Sequence, residues 1–297
     1  KSLSDIMKSL SSPFNFSVRK AMKEVLGKDG REVYTDYMNL ISQRYSALSP
    51  SSNLYDQNIR YIDDNGTANL LPKWSDDGEK IAYLSNQNHD YFGSTDLFIY
   101  NLKKDESHKI VDGVTSRPTW NGNTVIYSKR SITPNKDGSR YFDLYEYDLF
   151  TKKETRLTRD LRAFSPVFSK NDSAIYFLST YDGTQNIFKI NLSSSTSEKI
   201  SNFSDHEIIN NLTFDPLKNH LLFDMTVNHN KSIYFLSLAD STLGTYIDAA
   251  SWDARNADVF DEGIVYSDDR TGIFNLFYID DKKQGYISNT TGGAFMA

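Results

Sequence analysis

From Asn53 to the C-terminus, apolar and polar positions alternate in short runs, each broken by a cluster of Gly, Asp, Asn or Ser. A period of two is the pattern of strands that present one row of side chains to each sheet face. One motif returns five times: a polar residue followed by an apolar, aromatic-rich strand. It reads Asp96-Leu97-Phe98, Asp143-Leu144-Tyr145, Asn186-Ile187-Phe188, Ser232-Ile233-Tyr234 and Asn275-Leu276-Phe277, in steps of 47, 43, 46 and 43 residues. Each period holds several strands. In the first, Leu71–Ser75 leads through the turn Asp76-Asp77-Gly78 into Lys80–Ser85, then Asp96–Leu102 and His108–Val111. Its opening strand recurs as Pro118-Thr119-Trp120, Pro166-Val167-Phe168, Leu212-Thr213-Phe214 and Asp258-Val259-Phe260.

A repeat of this length with four short strands predicts an all-β fold, a β-propeller of four-stranded antiparallel blades. Five blades are nearly complete. Asn58–Asp63 is expected to supply an outer strand of a partial sixth, and Thr290–Ala297 the lead-in to its first strand. The chain is then expected to be truncated within a six-bladed ring, or to leave the ring open.

Residues 1–48 follow a different period. After Pro13, the stretch Phe16–Leu26 sets Val18, Met22, Val25 and Leu26 on one face, with Gly27 as a stop. Arg31–Tyr45 repeats apolar residues at Val33/Tyr34, Tyr37, Leu40/Ile41 and Tyr45, again at helical spacing. A short α-helical segment, either a cap or the tail of an upstream domain, is therefore predicted for 1–48. Ser46–Asn53 serves as linker, and the propeller occupies 53–297.

Composition narrows the function. Nineteen Tyr and 18 Phe suit half-buried strands. A net charge of −6, with the two signs interspersed, leaves no basic field for a nucleic-acid partner. There is no Cys, which excludes disulfides, thiolate nucleophiles and Cys-ligated zinc. No apolar run is long enough to span a bilayer.

Few residues point to chemistry. His89, His108, His206, His220 and His229 stand in no close metal-ligand spacing, although His206-Glu207 and His229 fall in loops that can meet in space. No G-x-S-x-G elbow and no phosphate loop is present. The paired aspartates Asp63-Asp64, Asp76-Asp77, Asp268-Asp269 and Asp280-Asp281 read as turn residues rather than calcium ligands. The recurrent Asp, Asn or Ser before the third strand reads as a side chain that satisfies hairpin amides. No catalytic, cofactor-binding or metal-binding residue is assigned. What remains is surface: the long loops Asn86–Thr95, with Tyr91 and Phe92, and Ser131–Tyr141, flanked and lined by Arg130, Lys136 and Arg140. Loops longer than a hairpin needs are where binding residues concentrate. These five residues are the candidate partner-binding set.

The unit LPKWSDDGEKIAYLSN…STDLFIYNL…SHKIV resembles the propeller repeat of the TolB family, shared with tricorn-type and prolyl-oligopeptidase-type propellers. The resemblance covers roughly residues 53–297. It rests on the Pro-x-aromatic-Ser opening (Pro72–Ser75, Pro166–Ser169), the Asp77-Gly78 turn and the hairpins Asp269–Asn275 and Asp182–Asn186. The fourth unit departs from it, with Asp215-Pro216 at the turn. The stretch FNFSVRKAMKEVLGKDGREVYTDYMNLISQRY looks like the end of a gluzincin-type metallopeptidase domain, without any catalytic position. NTTGGAFMA resembles a segment found between blades of long bacterial proteins.

These resemblances imply a periplasmic, secreted or cell-surface bacterial protein larger than this chain. The expected function is a non-catalytic propeller that binds protein or peptide partners. Two alternatives stand beside it: an accessory, substrate-gating domain of a zinc metallopeptidase whose site lies before residue 1, and a propeller that binds or cleaves glycans. The last would need paired carboxylates across a cleft.

Overall fold

The computed structural model describes residues 2–46, 60–134, 137–204, 207–290 and 292–294. The chain divides into two compact units, Lys1–Ser52 and Asn53–Ala297.

The first unit holds three helices, α1 (Ser2–Leu10), α2 (Val18–Leu26) and α3 (Gly30–Ser46). The pattern singles out the second and third; α1 is an additional short helix in a serine-rich stretch. Ser17 caps α2 by accepting the Lys20 N–H, and Gly27 ends it at φ 72°, the left-handed conformation that glycine adopts without steric cost. Asp29 then accepts the N–H groups of Arg31 and Glu32 at the start of α3. The Ser9 hydroxyl bonds Glu24 at 2.7 Å and joins α1 to α2. No helix among the described residues is long and apolar enough to cross a membrane.

The second unit is five four-stranded antiparallel sheets arranged as the blades of a propeller ring. Blade one is β1 (Asn69–Trp74), β2 (Lys80–Ser85), β3 (Asp96–Asn101) and β4 (Glu106–Val111). Blade two is β5 (Thr119–Asn121), β6 (Thr124–Arg130), β7 (Phe142–Asp148) and β8 (Lys153–Arg156). Blade three is β9 (Ala163–Ser169), β10 (Ala174–Ser179), β11 (Asn186–Asn191) and β12 (Ser197–Lys199). Blade four is β13 (Ile208–Asp215), β14 (His220–Val227), β15 (Asn230–Ser237) and β16 (Leu243–Ile247). Blade five is β17 (Ala254–Phe260), β18 (Gly263–Asp268), β19 (Asn275–Ile279) and β20 (Gln284–Tyr286). Strands neighbour one another in chain order within every blade.

The described residues build no sixth blade: residues 60–63 and those after Tyr286 form no strand. Residues 58–59, 291 and 295–297, on which that expectation also rests, lie outside the described residues.

Alternation explains the stacking. In β6, Val125 and Tyr127 pack with Ala82, Leu84, Leu97 and Ile99 of blade one. The intervening Ile126 packs with Ile175, Phe177 and Phe188 of blade three. In β10 the order continues: Ile175 and Phe177 face blade two, while Tyr176 and Leu178 join Leu221, Phe223 and Met225 of blade four. Leu222 then meets Ile264, Tyr266 and Phe277 of blade five. The second strands of blades two, three and four thus each fill two interfaces and are buried on both faces. Burial of this kind contributes about 1.5–3 kcal/mol per large apolar side chain.

The recurrent polar residue fastens each blade to the connection that follows its fourth strand. Asp96 accepts the Gly113 N–H, Asn186 that of Phe203, Ser232 that of Ala249 and Asn275 that of Thr290, at 2.7–3.0 Å. In blade two, Asp143 accepts the Thr158 hydroxyl, which itself accepts the Leu144 N–H. The residue is structural, as its spacing predicts, but the amides it satisfies lie in the inter-blade connection rather than the hairpin.

Candidate functional site

The first strand of every blade lines the axis. Equivalent positions on the five inner strands are Lys73, Thr119, Val167, Thr213 and Asp258, followed in turn by Trp74, Trp120, Phe168, Phe214 and Val259, and all of these but Thr213 border one cavity of about 240 Å³. Four inner strands carry a bulge two residues earlier, with positive φ at Leu71 (53°), Ser165 (50°), Asn211 (52°) and Asn256 (55°). A bulge bends a strand and re-aims the residues after it. Here those residues are the ones that enter the channel.

The channel holds one anion between two cations. Lys73 Nζ lies 2.7 and 2.8 Å from the carboxylate oxygens of Asp258, although the two residues are 185 positions apart. Arg117 donates to Asp258 at 2.9 Å and to the Pro72 carbonyl at 3.2 Å. Side-chain exposures are 26% for Lys73, 21% for Asp258 and 7% for Arg117, so the three charges are largely withdrawn from water. Burial pushes the Asp258 carboxyl up, but Lys73 and Arg117 outweigh it and hold the group below the ordinary carboxylate range. The Lys73 ammonium is pushed below its ordinary value, chiefly by burial and with help from Arg117, against the attraction of Asp258. At the mouth, Lys170 pairs with Asp76 at 2.9 Å, linking blade three to blade one. The Trp120 indole donates to the Lys73 carbonyl, whereas Trp74 leaves 53% of its surface exposed beside the cavity.

The charges that line the mouth, Lys73 and Lys170 against Asp258 and Asp76, balance, and the buried Arg117 behind Asp258 adds one positive charge beside the aromatic surface. Such a site suits an extended segment with an aromatic or acidic side chain.

The mouth is on the face of the tight turns between first and second strands, where Trp74 leads to Asp76 and Val259 to Phe260. Because the blades are antiparallel, the loops between second and third strands emerge at the opposite face. Tyr91 and Phe92 are there, 74% and 62% exposed, and so are the exposed Arg130 and Arg140. Lys136 lies outside the described residues. Arg130 stacks on Phe142 at 5.2 Å and borders a separate crevice between blades one and two. The sequence-derived set is therefore not gathered at the charged channel mouth. The signal that marks the mouth is a charge at this inner-strand position in two repeats, Lys73 in one and Asp258 in another; the structure places Asp258 level with Lys73, one position away from the alignment by repeat, which set it level with Pro118.

The other polar candidates are engaged in structure. Asp63, Asp77, Asp268 and Asp280 accept hydrogen bonds from the N–H of Asn65, Glu79, Arg270 and Lys282. His89 Nε2 lies 3.0 Å from buried Asp96. His206 lies outside the described residues. Among those residues, no group of three or more His, Asp or Glu side chains is placed to hold a metal ion.

No protein-family model matches the chain. Among curated proteins it is 38% identical over 96 residues to the Tol-Pal system protein TolB of Ruthia magnifica subsp. Calyptogena magnifica, a match covering 31% of this chain and 20% of that protein. It is 27% identical over 141 residues to dipeptidyl-peptidase 5 of Porphyromonas gingivalis, 43% of this chain and 20% of that protein. The chain thus matches about a fifth of the length of these relatives. Among solved structures, TolB from Acinetobacter baumannii superposes with a TM-score of 0.52 at 14% identity, over 74% of this chain and 56% of that one.

Proposed function

We propose that this TolB-like β-propeller is a non-catalytic binding module of a larger extracytoplasmic bacterial protein, and that it holds a protein or peptide partner at the mouth of its central channel. The observation that carries the reading is the mouth itself: exposed Trp74 beside a cavity whose lining holds Lys73, Asp258, Lys170 and Asp76, with Arg117 buried behind Asp258. Aromatic surface next to an excess cation recognises an extended segment by stacking and by its carboxylates. The channel charges are already paired with one another. The extracytoplasmic placement rests on the TolB-like repeat.

The test is selection of a displayed random-peptide library on the immobilised chain. Peptides with aromatic and acidic residues are expected, and their capture should fall with Trp74→Ala and with Lys170→Glu. Capture that survives both substitutions would reject the channel mouth as the site. Turnover of peptide or oligosaccharide substrates by the purified chain would reject the non-catalytic reading.

The similarity to dipeptidyl-peptidase 5 favours a second reading, in which the propeller is the accessory domain of a peptidase and the segment held at the channel is its substrate. The gene sequence around this chain separates the two, since only the second places a peptidase motif in the same reading frame.

A further inference from the structure

Between blades one and two, on the face opposite the channel mouth, lies a larger crevice of about 510 Å³. Ile110 and Val111 at the end of β4 form one wall, and Ile132, Phe142 and Tyr147 form the other. The floor is self-sufficient in charge. Lys129 reaches both oxygens of Glu154 at 2.6 and 2.8 Å, the Tyr127 hydroxyl donates to the same carboxylate, and the ammonium lies 4.9 Å over the Tyr145 ring. A guest therefore needs no charge at the bottom of the crevice and meets mainly hydrocarbon and ring surface there.

The rim differs from the floor. Asp112 is neutralised by Lys109 at 2.7 Å, whereas Arg130 stacks on Phe142 and has no carboxylate partner among the described residues. One positive charge thus stands over an apolar slot. Ile132 is 74% exposed beside it, an apolar side chain held in water at the entrance. The neighbouring strand β4 ends its sheet, so one side of its backbone makes no ladder bonds, the arrangement to which an extended chain adds.

We propose that this inter-blade crevice is a second docking site, for an extended segment of a partner protein that inserts one aromatic side chain between blades one and two and sets an acidic residue against Arg130. Ring surface satisfies the walls, the guanidinium selects the adjacent carboxylate, and the free edge of β4 favours main-chain pairing over a compact small molecule. The site shares no residue with the channel mouth, so either can fail without the other.

The test uses two capped dipeptides containing 5-fluorotryptophan, one followed by Glu and the other by Lys, titrated with the whole chain and followed by fluorine NMR line broadening. The Glu peptide should bind more tightly by about three- to fivefold, the range of an exposed ion pair. Arg130→Glu should invert that order, Ile132→Asp should weaken the Glu peptide, and Trp74→Ala at the channel should change neither. Arg130 and Ile132 are exposed, so these substitutions leave the core intact. Equal affinity for the two peptides, no broadening of either, or an order unchanged by Arg130→Glu would overturn the proposal.

Discussion

Replacing Asp258 by Ala removes the one anion between Lys73 and Arg117 and leaves two buried cations facing each other. Breaking a buried pair from one side costs about 3–5 kcal/mol, because the surviving charge keeps its desolvation penalty. The side chains of Lys73 and Asp258 are 26% and 21% exposed, so water recovers part of that penalty. We therefore expect a loss of about 2–3 kcal/mol. For a unit of this size, that lowers the melting temperature by roughly 5–10 °C.

Lys73→Met should cost much less, on the order of 1 kcal/mol, since Asp258 keeps Arg117 at 2.9 Å and the thioether replaces the alkyl stem. Adding Lys73→Met to Asp258→Ala should recover part of the loss. The assay is urea unfolding of the four proteins, arranged as a double-mutant cycle at two salt concentrations. The sign with pH follows from the Asp258 carboxyl lying below its ordinary 3.8. The native state binds fewer protons there than the unfolded chain, so this stabilisation is complete above the unfolded value and disappears as pH falls through the folded one. The gap between the parent and Asp258→Ala should narrow below that value. If Asp258→Ala is no more damaging than Lys73→Met, the three charges do not form the pairing described.

Three further substitutions probe the ring. Asp224 is fully buried; it accepts from Asn211 Nδ2 and the Asn256 N–H, and Lys231 lies 4.0 Å away. Burial raises its carboxyl above the ordinary range, so stability should decline as pH rises from about 3.8 through the folded value, and Asp224→Asn should remove that slope and gain on the order of 1 kcal/mol at neutral pH, read by thermal melts across pH. A Cβ at Gly263 would lie 2.3 Å from the Ile279 carbonyl oxygen, and Gly263→Ala should cost about 1–3 kcal/mol in urea unfolding. Asn275→Ala strips the Thr290 N–H and Ser288 hydroxyl of their acceptor and should cost about 1–3 kcal/mol, with faster amide exchange confined to Thr290 and its neighbours.

The repeat and its blades are legible in the chain because blade packing uses local information. Period two fixes which of Val125, Ile126 and Tyr127 faces which neighbour, and the turn residues mark each reversal. The polar residue before every third strand is equally readable, since each blade needs one acceptor at the same place. The channel charges are not readable this way. Lys73 and Asp258 meet only because the ring brings the first and fifth inner strands together, and nothing local to either residue announces the other. Loop length marks Tyr91, Phe92 and Arg130, whereas the turns beside the mouth are short and leave no mark of that kind. The inner-strand bulges are only half visible: Asn211 and Asn256 are of a type that tolerates positive φ, whereas Leu71 and Ser165 give no such sign.

The bonds from Asp96, Asn186, Ser232 and Asn275 into the following connections give the ring a mechanical grain. Tension on the chain ends would load these bonds first, one blade at a time, while the ladders behind them stay unstrained. A pulled molecule should then lengthen in discrete events of about 150 Å, the extended length of one repeat. In a cell, a protein hauled by one end would surrender its structure in portions and keep the remaining blades stacked.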